Sequence, residues 1–227
     1  MPISLVQPDM VIKFDCSTTE SNLIQSGAFN LTMNGSTVYF GTNQVSADNQ
    51  NPIIVRFDSN GAKMWCNENY EITGADSRAI GLLWSSSTNR TKDKLYALFT
   101  TDGTQGEPNQ DFRRYTQKGW LSSYGSGGGP KVTVIVELNQ STGEGIQGTF
   151  LRAQLSSGKT NTLVASAISM DLSGQVTVDA NSYFLPLGVD KQPLNIEDCS
   201  PQTTSPFRYT ITLSADLSTA ITTKCGI

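Results

Sequence analysis

The chain has no histidine at any of its 227 positions. That absence removes the commonest general base and the usual activator of a serine or cysteine nucleophile, so Ser-His-Asp and Cys-His catalysis are excluded. Charge is also sparse. Only 16% of residues are charged, and 16 Lys and Arg stand against 20 Asp and Glu for a net charge of −4. A mildly acidic chain is poorly suited to phosphate backbones or anionic membranes, so nucleic acid is not an expected partner. Arg113, Arg114, Lys118 and Lys131 gather around one loop and read as solvated cations. No apolar run approaches the roughly 18 residues of a membrane span. Met1 to Leu5 lacks the charged start and apolar core of a signal peptide, so export by that route is not expected unless a leader has been removed.

Other absences narrow the chemistry further. The four cysteines show no C-x-x-C spacing, and without histidine a metal centre is not expected; no cofactor is expected either. Gly127–Gly128–Gly129 has no Lys-Ser/Thr after it, so it is not a phosphate-cradling loop. No D-x-D-x-D-G series occurs, which leaves only single-carboxylate loops at Asp48, Asp190 and Asp198 for calcium. Long helical periodicity is missing. Short helical turns fit at 17–26 and at 73–78.

Short β-branched and aromatic runs bounded by Gly, Asn, Asp and Ser fill the sequence instead, and these are strand signals. They recur as three copies of a four-strand phrase, at about 28–73, 79–155 and 163–225, with a strand-like Met10–Phe14 and a connector in the first 27 residues. The first copy reads Ala28–Met33, Asn34–Gly35, Thr37–Gly41, a polar loop from Thr42 to Pro52, Ile53–Asp58, Ser59–Asn60–Gly61 and Ala62–Cys66. Asn-Gly is a strong hairpin signal because both residues tolerate the positive φ of a tight turn. The second copy runs Ala79–Trp84, Lys94–Phe99, Val132–Leu138 and Ile146–Leu155. The third runs Leu163–Met170, Gln175–Val178, Tyr209–Leu213 and Ala220–Cys225, with a further short strand at Tyr183–Leu185. Asp58, Asp171 and Asp216 sit where short carboxylates cap turns.

The stretch Tyr39–Phe40–Gly41–Thr42, followed by Ile53–Ile54–Val55–Arg56–Phe57–Asp58–Ser59–Asn60–Gly61–Ala62–Lys63–Met64–Trp65, resembles the bacterial β-propeller repeat known as SBBP. In that family a Val-x-Lys-Leu-Asp-x-x-Gly-x-x-x-Trp hairpin closes each blade. The likeness is good over residues 38–65, loose over 95–150, and limited to strand order over 163–224. It implies blade-like sheets and no common catalytic site. The expected fold is therefore a single all-β domain of three repeats of four antiparallel strands, blade-like, with a β-sandwich as the alternative. Three blades are too few to close a ring. Met10–Phe14 stands outside the copies and is suited to pair with the last sheet as a closing strand. The closures left open are two chains joined as a six-bladed ring (a half-propeller homodimer, which would also cover exposed strand edges) or another sheet arrangement such as a sandwich.

Cys16, Cys66, Cys199 and Cys225 are even in number and allow three pairings. Cys16, Cys66 and Cys225 each end a strand-like run, which favours Cys16–Cys66 and Cys199–Cys225, with buried free thiols as the alternative.

Residues 101–131 form the most unusual segment: long, rich in Gly, and carrying Phe112, Tyr115, Trp120 and Tyr124. Loops of this length either bind something or lack order, and aromatics in such a setting stack on sugar rings or on a partner's apolar patch. Asp111, Arg113, Tyr115, Trp120 and Tyr124 are the candidate ligand-binding residues. The alternative is that the aromatics fold back on the sheet as a lid. Trp65 and Trp84 fall within strands and are expected in the core. The functional expectation is a non-enzymatic extracellular or surface module binding carbohydrate or protein, lectin-like in character. A structural part of a virion or cell-surface assembly is the second reading. A carboxylate-dependent glycan hydrolase, using residues such as Asp102, Glu107 or Asp111, is the third.

Overall fold

The computed structural model describes residues 3–6, 12–86 and 93–226, and the fold it describes is all-β with antiparallel sheets. The chain enters through β1 (Ile3–Leu5) and a short helix, α1 (Glu20–Gln25), capped by Thr19, whose side chain accepts from the Asn22 backbone N–H. Then comes a first meander of β2 (Asn30–Met33), β3 (Ser36–Ser46), β4 (Asn49–Phe57) and β5 (Lys63–Asn67), paired in that order. A second meander follows in β6 (Ser77–Ser85), β7 (Lys94–Thr101), β8 (Val132–Leu138) and β9 (Gly145–Leu151), again each paired with the next. The short β10 (Ala153–Gln154) and β11 (Thr160–Asn161) form a two-stranded ribbon. The third meander is β12 (Leu163–Met170), β13 (Val176–Ser182), β14 (Phe207–Leu213) and β15 (Ala220–Cys225). The second and third meanders meet at one parallel pair, Val132 with Leu163.

Sequence pattern explains the burial of each sheet. In the third meander apolar and polar residues alternate: Val176, Val178 and Ala180 are buried while Asp179 and Asn181 face solvent. A period of two is what one solvated face requires. Val132–Leu138 and Leu95–Thr101 are nearly unbroken apolar runs and are buried on both faces. The first meander has two apolar faces that serve different cores. Val38, Phe40, Ile54 and Trp65 join the main core, where β6 packs against β2, β3 and β4. Tyr39, Ile53, Val55 and Phe57 point the other way and pack on Phe14, Leu23 and Ala28. The Cys16–Cys66 disulfide closes that second core, and Cys199–Cys225 ties the last strand to the loop before β14. Both are the pairings favoured from the strand ends.

The Asn34–Gly35 turn has positive φ at both positions, 47° and 72°, and joins β2 to β3 with Met33 opposite Ser36. Asp58, Asp171 and Asp216 each accept backbone N–H bonds from their own turns, as expected of capping carboxylates.

Four details differ from the sequence reading. Thr42 to Pro52 is not a loop: β3 and β4 run on through it, because Gln44, Asn49 and Gln50 bond to each other and to nearby backbone and so satisfy a polar hairpin arm. Residues 73–78 form no helix, since Thr73 is held by Glu71 and β6 already begins at Ser77. Tyr183–Leu185 forms no strand of its own. Within the strand-like Met10–Phe14, Met10 and Val11 lie outside the described residues, and Lys13 bridges Thr42 of the first meander rather than the last. The strand that does reach the third meander is β1, paired to β12.

Candidate functional site

The 101–131 segment is folded onto the second meander and reaches the β14–β15 turn of the third and the chain that leaves the first. It opens with a 3-10 turn (Pro108–Gln110), followed by a helical turn, α2 (Arg113–Thr116). Phe112 is fully buried, with its ring centroid 5.0 Å from that of Phe99 in β7, and Phe99 in turn lies 4.9 Å from Tyr70. The Ile72 N–H donates to the Gln110 carbonyl at 3.0 Å, tying the segment to the chain that leaves the first meander. Further on, Gly119 lies against the backbone of β9. A Cβ there would stand 2.2 Å from the Gly148 carbonyl oxygen, so only glycine allows the approach. Trp120 is 3% exposed, and its backbone N–H donates to Leu217 in the β14–β15 turn while its indole N–H donates to Val189. Tyr124 is fully buried and donates to the Pro130 carbonyl at 2.6 Å; burial pushes its phenol up to about 12.

Four of the five candidate ligand-binding residues are therefore engaged inside the protein. Trp120 and Tyr124 fold back as lid residues: Tyr124 is wholly enclosed, and Trp120 keeps only the slight exposure with which it borders a surface cleft. Asp111 is fully buried and paired with Arg113 at 2.7 Å; the same guanidinium donates to the Gln105 and Gly106 carbonyls, and the Arg113 N–H returns to Asp111. This pair clasps the 105–113 turn. The fifth, Tyr115, is half-buried. Arg114 covers one face at 4.7 Å, and the ring lies so close to Gly145 that a Cβ there would be 2.6 Å from a ring carbon.

The outer side of the segment, by contrast, lines three surface clefts. The first, about 460 Å³, is bordered by Asn67, Asn69, Arg114, Tyr115, Thr142 and Glu144. Asn67 is fixed by donating to the Gly143 carbonyl and accepting from the Asn69 N–H, which leaves the exposed amide of Asn69 and the carboxylate of Glu144 turned to solvent. The second cleft, about 430 Å³, gathers Asp48, Asp76 and Asp102 beside Gly127–Gly129. Burial raises the Asp102 carboxyl above the usual range; Lys131 opposes that shift and Asp76 adds to it. Asp76 itself accepts from the Gln50 N–H and pairs with Arg78 at 3.6 Å. Behind this cleft Glu71 is fully buried: one carboxyl oxygen accepts from Thr73, the other has no partner, and burial raises its proton affinity, with smaller contributions from Asp111 and Asp102. The third cleft, about 300 Å³, brings Arg152 and Lys191 to the edge of Trp120.

The chain matches no protein-family model, curated protein or solved structure.

Arg152, Lys191, Asn67, Asn69 and Glu144 carried no sequence signal, because each belongs to a different loop or strand end and only the fold brings them beside the segment. Among the described residues no group of His, Cys, Asp or Glu is arranged to hold a metal ion, and no helix is long and apolar enough to cross a membrane.

Proposed function

We propose that the protein is a non-catalytic recognition module for hydroxyl-rich ligands, lectin-like in character, whose contact surface is the outer side of residues 101–131. The observation that carries this reading is the division of that segment into two sides. Phe112, Trp120 and Tyr124 are buried against the meanders, while Arg114, the half-buried Tyr115 and much of the segment's backbone and polar side chains border three open clefts. A rigid platform with polar groups of both kinds at its surface suits saccharide hydroxyls, which both donate and accept. The Asn69–Arg114–Glu144 cleft has this mixture: an amide, a guanidinium and a carboxylate beside a tyrosine edge. Two disulfides support an extracellular or cell-surface setting, since such bonds persist in oxidising compartments. The first meander forms its own four-stranded sheet while the second and third share one nine-stranded sheet, an arrangement that suits a sandwich better than three separate blades, and a second copy would cover the outer edges.

A glycan array probed with the intact protein, alongside Asn69→Ala and Thr142→Ala, tests the reading. Both side chains are exposed, so the variants should melt like the parent while losing array binding about tenfold or more. A parent protein that binds no glycan, or variants that bind unchanged, would contradict it.

One observation favours a second reading. Asp76 and Asp102 share a cleft in which burial, with a smaller contribution from Asp76 and against Lys131, raises the proton affinity of Asp102, and a carboxyl of raised proton affinity near a second carboxylate is the equipment of glycan hydrolysis. Release of reducing sugar from polysaccharides, lost in Asp102→Asn, would establish that reading in place of the first.

A further inference from the structure

Arg152 enters the third cleft with no ion pair and no side-chain hydrogen bond among the described residues. It leaves β9 just before β10, half-buried, and its guanidinium lies against Gly125, where a Cβ would be 3.1 Å from Nε and from Cζ. Its Nη1 is buried without a hydrogen-bond partner. Arg113 is paired with Asp111 and Arg78 with Asp76, while no carboxylate lines the cleft that Arg152 enters. Burial holds its guanidinium below the usual arginine range with no opposing charge, yet an arginine so shifted is still a cation at neutral pH.

A desolvated cation without a partner is costly, and proteins retain such groups where a ligand supplies the counter-charge. The rest of the cleft matches that need. The exposed ammonium of Lys191 borders it, and the side chains of Gln117, Ser122 and Ser123 form no hydrogen bond among the described residues, so their donors are open to a guest. Trp120 forms part of the wall with its indole N–H already turned away to Val189. A planar guanidinium fork beside hydroxyl and amide donors is suited to the two oxygens of a carboxylate or to a sulfate.

The geometry points to an oxyanion subsite here: Arg152, assisted by Lys191, binds the carboxylate or sulfate group of an acidic saccharide. The subsite stands on the unpaired guanidinium and not on the polar cleft at Asn69, so either can fail alone.

The test is an NMR titration of the intact protein with sodium glucuronate, glucose and sodium sulfate at constant ionic strength, following the Arg152 Nε–H and Trp120 indole signals. Glucuronate should saturate both with a Kd on the order of 1 mM, while glucose moves neither. Arg152→Gln should weaken glucuronate at least about tenfold, the effect of losing a charged hydrogen-bond donor. Lys191→Gln, at an exposed position that does not threaten folding, should weaken it by about 2–5-fold. Saturation by sulfate at a similar concentration would identify a sulfated group as an equally good source of the oxyanion; sulfate without effect would identify the carboxylate. Glucose shifting the same signals equally, no saturable change up to about 20 mM glucuronate, or undiminished binding in both folded variants would overturn the assignment.

Discussion

Truncating Trp120 to alanine should destabilise the protein severely. The side chain is 3% exposed and lies where the 101–131 segment, β9 and the β14–β15 turn converge, so its loss opens a hole that three separate elements border. Buried Trp→Ala changes cost about 3–5 kcal/mol, the transfer term plus the cavity term. Because one side of the ring borders a cleft through which water can enter, the lower end of that range applies. In a chain of this size each kcal/mol moves the melting temperature by about 2–4 °C, so a fall of at least about 6 °C is expected. Trp120→Phe separates packing from hydrogen bonding. It keeps most of the apolar volume and loses the bond to Val189, a long contact at 3.3 Å worth about 1 kcal/mol or less. Urea unfolding followed by circular dichroism, with an unchanged slope confirming the same unfolding transition, measures both. A Trp120→Ala protein that melts within about 2 °C of the parent would show that the ring is not part of the packed structure.

Two further outcomes follow from the same structure. The unreduced, unfolded protein should take up no alkylating reagent; opening the 50-residue loop by Cys16→Ser with Cys66→Ser should cost about 4 kcal/mol, and a bound reagent before reduction would disprove the pairing. Glu71→Gln should make stability less dependent on pH. The buried carboxyl has a raised proton affinity, so its contribution is complete below its unfolded value near pH 4.5 and is lost as pH rises through the folded value. The glutamine variant should therefore gain on the parent as pH rises above about 4.5 in parallel denaturation curves, and a parent that gains on the variant would reverse the assignment.

The three meanders were legible because strand burial leaves a local record. Leu95–Phe99 and Val132–Leu138 are continuous apolar runs, Val176–Ala180 alternates, and Asn34–Gly35 specifies its own turn. The cysteine pairing was legible for the same reason, since Cys66 and Cys225 each end a strand. The extension of β3 and β4 through 42–52 was not, because its strand character comes from polar side chains bonding to one another and to nearby backbone rather than from apolar residues. The fate of the 101–131 aromatics was equally hidden. Whether Trp120 faces ligand or core depends on Gly119 meeting Gly148, and nothing in either segment announces the other. The sequence singled out the segment but left open whether its aromatics face a ligand or the sheet: Phe112, Trp120 and Tyr124 pack inward, and other groups at the bordering clefts, Arg152 and Asn69 among them, come from elsewhere in the chain.

Hydrogen exchange across 101–131 tests most directly the claim that this segment is a packed clasp and not an open loop. The Trp120 amide is bonded to Leu217, the Leu121 amide to the Thr149 hydroxyl, and the Phe150 amide of β9 to the Leu121 carbonyl. Peptides covering 112–124 should therefore exchange as slowly as those from β8 and β9, with opening that approaches global unfolding. Exchange of those amides at the rate of an exposed loop, while β8 and β9 stay protected, would contradict the clasp and the clefts built on it.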